Sequence, residues 1–244
     1  MLFLHGIGGS GRYWQPLAEV SRGYAGVAPD LLGFGRSPWP ADSTYDVDAH
    51  LDALLAVAPP RSVVVAHSTG AVLAVALAAR HPGRVEKLLL IGAPLYEDLA
   101  QARREVRRLG PLARVTASGE VAGRAAMVML HGLVRPVSRL LPLGLPEPVV
   151  EDFWRHSWTS YSRTLRNVVI GYPAVPLLGT LTMPCTLLYG TDDTTAYRPP
   201  THRLQQLNPR LRVLEAPGGH HIAVRDPAVV AEALGSVLAT PPTV

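Results

Sequence analysis

The chain has 244 residues, 48% of them hydrophobic, enough to bury a substantial core as a single globular unit. Its formal charge of +4 invites a nucleic-acid reading, but Lys87 is the single lysine among 23 cations and aromatic residues do not interleave with the arginines as stacking platforms, so no nucleic-acid partner is expected. One cysteine, Cys185, excludes an intramolecular disulfide, no Cys and His cluster has metal-ligand spacing, and Met1 to His5 carries neither a basic region nor a long apolar run; a cytoplasmic protein without signal peptide, membrane span, metal or cofactor is expected.

Taken in order, Leu2 to His5 reads as a strand, and Arg12 to Val20 as a helix with Ser10 as its cap. Gly26 to Pro29 reads as a short strand, and Val47, Leu51, Leu54 and Leu55 mark one face of a helix. Ser62 to Ala66 is a buried strand, Thr69 to Arg80 a helix stopped by Pro82, and Val85 to Ile91 another strand. From about Pro94 to Met183 this alternation gives way to a helical, arginine-rich stretch that holds 11 Arg against 7 acids. Within it, Arg135, Arg139 and several prolines interrupt the apolar run from Ala125 to Val150 well short of a membrane span. Two more strands lie near 185–189 and 211–215, and Ala228 to Leu238 forms a last helix. Strands alternating with helices predict an α/β fold whose mainly parallel central sheet is covered by helices on both faces.

The densest chemical signal is Val63-Val64-Val65-Ala66-His67-Ser68-Thr69-Gly70-Ala71. A β-branched run stops at a serine and a small-residue helix begins directly after it. Such a turn forces the serine into a strained positive-φ conformation, so positions two before and two after it must be small; Ala66 and Gly70 are. The later strands end at Gly190-Thr191-Asp192-Asp193 and at Pro217-Gly218-Gly219-His220-His221. Parallel strands bring their C-terminal ends to one edge of the sheet, so a serine, an acid (Asp192 or Asp193) and a histidine (His220 or His221) converge there. Nucleophile, acid and base in this chain order suit acyl-transfer chemistry.

With these residues in view the chain resembles the serine hydrolases of the α/β-hydrolase fold, from residue 1 to about 235. His5-Gly6-Ile7-Gly8-Gly9 and Asp30-Leu31-Leu32-Gly33-Phe34-Gly35-Arg36-Ser37 add to the match. The resemblance selects Asp193, three residues after Gly190, and His220, which follows a glycine and precedes Pro227 by seven residues. It makes Ser68 the nucleophile, His220 its base, Asp193 the partner of the imidazole, and the backbone N–H groups of Ile7 and Thr69 the oxyanion hole. His67 becomes a buried structural side chain, and Asp30, Gly33 and Ser37 fix a loop. One departure is Ala66, where most members have glycine.

The resemblance divides the chain into an α/β-hydrolase core, residues 1–93 and 184–244, and a helical cap over residues 94–183. Members normally carry a strand pair ahead of the His-Gly segment, and this sequence begins almost at that segment; either the true start lies upstream, or a shortened sheet leaves Gly26 to Pro29 at its edge. The implied activity is hydrolysis of a carboxylic ester or related acyl bond of a small molecule. Cofactor-free C–C bond hydrolysis of an anionic carbonyl substrate is the second reading, with Arg163 or Arg166 of the cap holding the anion and Trp158 lining the pocket. A non-catalytic ligand-binding scaffold is the third. Epoxide and haloalkane hydrolysis use an aspartate where this chain has Ser68. The substrate and the oligomeric state stay open at this stage.

Overall fold

The computed structural model describes residues 1–21, 23–109, 114, 120–140 and 145–241. Five apolar runs become the strands β1 (Leu2–Leu4), β2 (Ser62–His67), β3 (Val85–Ile91), β4 (Cys185–Gly190) and β5 (Leu211–Ala216). They form one sheet in the order β1-β2-β3-β4-β5, every neighbouring pair parallel, with Leu4, Ala66, Leu90, Leu187 and Val213 side by side across it.

The period-2 alternation of the strands decides what covers each face. Val64 and Ala66 of β2 and Leu88 and Leu90 of β3 share a core with Leu51 and Leu54 of α2 (Val47–Val57) and with Leu73 and Leu77 of α3 (Thr69–Arg80). Val63, Val65, Leu89 and Ile91 point the other way, onto Leu17 of the short helix α1 (Gln15–Val20) and onto Val230 and Leu234 of the C-terminal helix Pro227–Ala239. Both faces are thus buried, which is why β2 reads as an unbroken apolar run. Ala66 lies fully buried in the first of these cores, so its methyl group is accommodated where a glycine was the common choice. Lys87 is buried on β3 and donates to the carbonyls of Leu238 and Thr240 (2.8 and 2.6 Å), satisfying the last turn of the C-terminal helix. Burial pushes the Cys185 thiol up to about 12.

Two local expectations change. Gly26 to Pro29 makes a single parallel bridge, Leu2 to Val27, with Phe3 N–H donating to Val27 O at 2.9 Å and Val27 N–H to Met1 O at 3.0 Å. Pro29 has no N–H to extend the ladder, so no full strand forms there. The expected helix at Arg12 begins as a 3-10 turn, Gly11–Trp14, and turns α-helical at Gln15; Ser10 caps it, accepting from Arg12 N–H at 3.1 Å.

Between β3 and β4 the described regular elements are helices, Leu99–Arg108, Glu120–Leu133, Glu147–Asp152, Trp158–Thr164 and Val175–Leu178, with a 3-10 segment at Arg135–Leu140 and a π-helical turn at Leu165–Ile170. Residues 110–113, 115–119 and 141–144 of this insert lie outside the described set. Among the described residues no helix is long and apolar enough to cross a membrane.

Candidate active site

The strand-turn-helix at Ser68 has the geometry its spacing predicts. Ser68 sits at φ 52° and ψ −120°, in the left-handed region that favours glycine, and its N–H is held by the Ile91 carbonyl at 3.0 Å. A Cβ on Gly70 would come within 2.6 Å of the Leu4 and His5 carbonyl oxygens, so only glycine lets α3 start this close to β1.

At the same edge of the sheet, the loops after β4 and β5 deliver an acid and an imidazole. His220 Nε2 lies 3.1 Å from Ser68 Oγ, and His220 Nδ1 lies 2.9 Å from Asp193 Oδ2. The other carboxylate oxygen of Asp193 accepts from the N–H groups of Thr195 (2.8 Å) and Ala196 (3.0 Å). Burial works against the Asp193 charge, but the His220 contact and these two amides outweigh it and hold its pKa below the ordinary value. The carboxylate is therefore ionised and aimed at Nδ1–H, which leaves Nε2 bare to accept the Ser68 proton. Asp192, by contrast, is exposed.

Two further groups shape this dyad. Gly92, just past β3, has φ 53°, and a Cβ there would lie 3.1 Å from His220 Nδ1 and 3.2 Å from Asp193 Oδ2. It is a site residue the sequence reading did not single out; its one signal was a glycine ending an apolar strand. His67 donates Nε2–H to the His220 carbonyl at 2.9 Å, since a carbonyl can only accept. Burial, with the nearby His220 and His221, pushes the His67 pKa well below its usual value and keeps the ring neutral.

The His5 to Gly9 loop is held from several sides. Buried His5 donates from Nδ1 to the Gly6 carbonyl (2.8 Å) and accepts Leu31 N–H on Nε2 (2.9 Å). Asp30 accepts from Gly11 and Arg36 N–H, both at 2.7 Å, and Ser37 Oγ donates to the Asp30 carbonyl, so Asp30 and Ser37 do fix a loop. From the insert, buried Asp152 accepts from Ser10 Oγ (2.5 Å), Arg12 Nε (2.6 Å) and Arg12 Nη2 (2.5 Å), while the Phe153 ring packs on Gly8, 3.0 Å from where a Cβ would stand. Among the described residues, the N–H groups of Ile7 and Thr69 have no acceptor within the protein. Removing the carboxylate with Asp152→Ala would leave Arg12 only its longer contact to Glu151 at 3.5 Å and take the acceptor from the buried Ser10 hydroxyl. We expect it to lower Tm by about 6–12 °C, equivalent to roughly 3 kcal/mol, in a thermal melt; an unchanged melt would mean that the insert is not tied down through this pair.

The proposed anion-binding arginines sit elsewhere. Arg163 gives its guanidinium to the carbonyls of Ser43 and Ala41, the latter at 3.1 Å, and Arg166 Nε bonds back to the Ser162 carbonyl at 3.3 Å. Trp158 packs over Gly123. None of these three lines the cavity of about 350 Å³ that adjoins Gly6 and Ile7. Sequence spacing could not see that backbone carbonyls of the 41–43 loop would claim Arg163. Among the described residues, no group of three or more His, Cys, Asp or Glu is placed to hold a metal ion.

A family model described as "Alpha/beta hydrolase family" matches residues 1–233. The chain is 32% identical over 203 residues to the probable lysophospholipase BODYGUARD 2 of Arabidopsis thaliana, covering 70% of this chain and 42% of that protein. It is 35% identical over 112 residues to a 2-hydroxymuconate semialdehyde hydrolase of Pseudomonas sp. (strain CF600), covering 41% of this chain and 40% of that one. The chain thus spans less than half the length of these two relatives. Among solved structures it is similar to E-2-(acetamidomethylene)succinate hydrolase, with a TM-score of 0.73 at 21% identity over 98% of this chain and 91% of the other.

Proposed function

The chain belongs to the alpha/beta hydrolase family, and on that premise we propose that it is a serine hydrolase cleaving a carboxylic ester or related acyl bond of a small molecule. The observation that carries this reading is the hydrogen-bonded chain Ser68–His220–Asp193 with its serine on a strained turn. In the reaction, His220 Nε2 takes the hydroxyl proton as Ser68 Oγ attacks the carbonyl carbon. The charge that grows on the carbonyl oxygen is met by the N–H groups of Ile7 and Thr69 and by the N-terminus of α3. His220 then returns the proton to the departing alkoxide, leaving an acyl group on Ser68. A water activated by the same imidazole releases the acid and restores the serine. The helical insert, residues 94–183, acts as the cap over this site. Labelling of the intact protein with a fluorophosphonate, followed by a panel of esters, tests the reading; a folded protein that never labels overturns it.

C–C bond hydrolysis is the second reading, favoured by the likeness to the semialdehyde hydrolase. It calls for a cation at the substrate anion, and Arg163 is engaged by Ala41 and Ser43. We therefore expect Arg163→Met to change kcat/KM for anionic and neutral substrates by the same factor, through the loosened loop. A selective rise in KM for anionic substrates would restore the arginine as a binding group.

A further inference from the structure

One helix of the insert carries apolar side chains on its outer face. Glu120–Leu133 turns Met127 inward, places Gly123 where a Cβ would run into the Trp158 ring, and sets His131 edge-on to Trp154 with ring centroids 5.2 Å apart. A helix seated on the protein by one face should be polar on the other. Instead Val128, Met129 and Leu133 are 66%, 60% and 69% exposed, more than any other large hydrophobic side chain among the described residues. Ala125 and Gly132 are exposed with them, so residues 125, 128, 129, 132 and 133 follow the i, i+3, i+4, i+7, i+8 spacing of a single helix face. The result is a continuous apolar stripe turned to the outside.

The charges around the stripe decide what covers it. From residue 121 to residue 146 the sequence holds Arg124, Arg135 and Arg139 and no Asp or Glu. Arg124 is exposed one turn before Val128, and Arg135 is exposed two residues after Leu133. A second copy of the chain fits badly, because a two-fold contact would bring two acid-free, arginine-flanked faces together. The stripe is also small: 14 residues make it about 21 Å long and about 10 Å wide, roughly a quarter of the ~800 Å² per partner that stable protein pairs bury. A negatively charged lipid surface needs neither that area nor a matched shape. Apolar side chains enter the boundary between headgroups and acyl chains, and arginines beside them stay among the anionic headgroups.

We propose that the insert helix Glu120–Leu133 is a lipid-docking surface that seats the protein on anionic bilayers, with Val128, Met129 and Leu133 in the interface and Arg124 and Arg135 at the headgroups. At 14 residues the helix lies on the bilayer and does not span it. Its inner side adjoins the cavity beside Gly6 and Ile7, since Val134, the residue after the helix, and Trp154, which His131 touches, both line that cavity. Docking therefore holds the cavity within about one helix diameter, ~10 Å, of the lipid. None of this rests on the serine-hydrolase reading.

Co-sedimentation of the full chain with large unilamellar vesicles in about 0.1 M NaCl reads the docking directly. The partition coefficient should be at least about 10-fold higher on vesicles with about 30 mol% phosphatidylglycerol than on pure phosphatidylcholine. Val128→Ser combined with Leu133→Ser should lower it by at least about 10-fold while the circular dichroism melt stays in place, and Arg124→Gln should lower it about 5-fold on the anionic vesicles only. Val57→Ser removes a comparably exposed apolar side chain from α2, outside the insert, and should leave it within about 2-fold. No binding to the anionic vesicles, equal binding to both compositions, undiminished binding of the double variant, or an equal loss with Val57→Ser would overturn the docking surface. So would a chain that is dimeric in size-exclusion chromatography and becomes monomeric in the double variant, because the stripe would then belong to a second copy.

Discussion

Ser68→Ala is expected to abolish fluorophosphonate labelling and to lower kcat by on the order of 10⁶, leaving only what the oxyanion donors and binding supply without a nucleophile. The expectation rests on the 3.1 Å contact with His220 Nε2 and on the turn that presents Oγ beside the start of α3. Alanine tolerates φ 52° about as well as serine does, and the Ser68 N–H bond to Ile91 involves only backbone, so the variant should keep its fold. A circular dichroism melt alongside the kinetics checks this. Undiminished labelling of a folded Ser68→Ala protein would end the proposal, because the probe would then be reacting elsewhere.

The second large effect separates neighbouring residues. His220→Ala should cost nearly as much as the loss of the serine, and Asp193→Asn about 10⁴ in kcat, because an amide in place of the carboxylate favours the wrong imidazole tautomer. Asp192→Asn, one residue away, should remain within a few-fold of wild type. The asymmetry follows from placement: the Asp193 side chain is 2% exposed and bonded to Nδ1, whereas Asp192 is exposed and engages the Gly218 carbonyl only through its backbone N–H. Steady-state kinetics on the three purified variants decides the matter. An inactive Asp192→Asn beside an active Asp193→Asn would move the acid by one position.

How much of this was legible depends on how far apart the interacting residues are in the chain. The strands and helices of the core follow from local periodicity, and parallel pairing alone carries the ends of β2, β4 and β5 to one edge, so Ser68, Asp193 and His220 could be brought together on paper. Contacts between distant segments could not. Asp152 and Ser10 are 142 residues apart and nothing in either neighbourhood announces their bond. The same holds for Arg163, whose helix face looked available until the 41–43 loop supplied carbonyls to it. Gly92 was hidden differently: a glycine after a strand is common, and its meaning depends on two side chains that arrive 101 and 128 residues later.

The Asp152 bridge bears on how this protein can be recombined with its relatives. Along the sequence, the exchangeable module runs from the end of β3 to the start of β4. In three dimensions it extends into the first turn of the chain, because Ser10 and Arg12 belong to the same ion-paired joint and Gly8 is shaped to the Phe153 ring. A chimera that imports a foreign insert at those two junctions alone inherits half of that joint: an arginine without its carboxylate, beside the loop that carries Ile7. Chimeras that carry residues 8–12 across with their own insert keep the joint whole, so the unit to exchange is two separated pieces of chain rather than one.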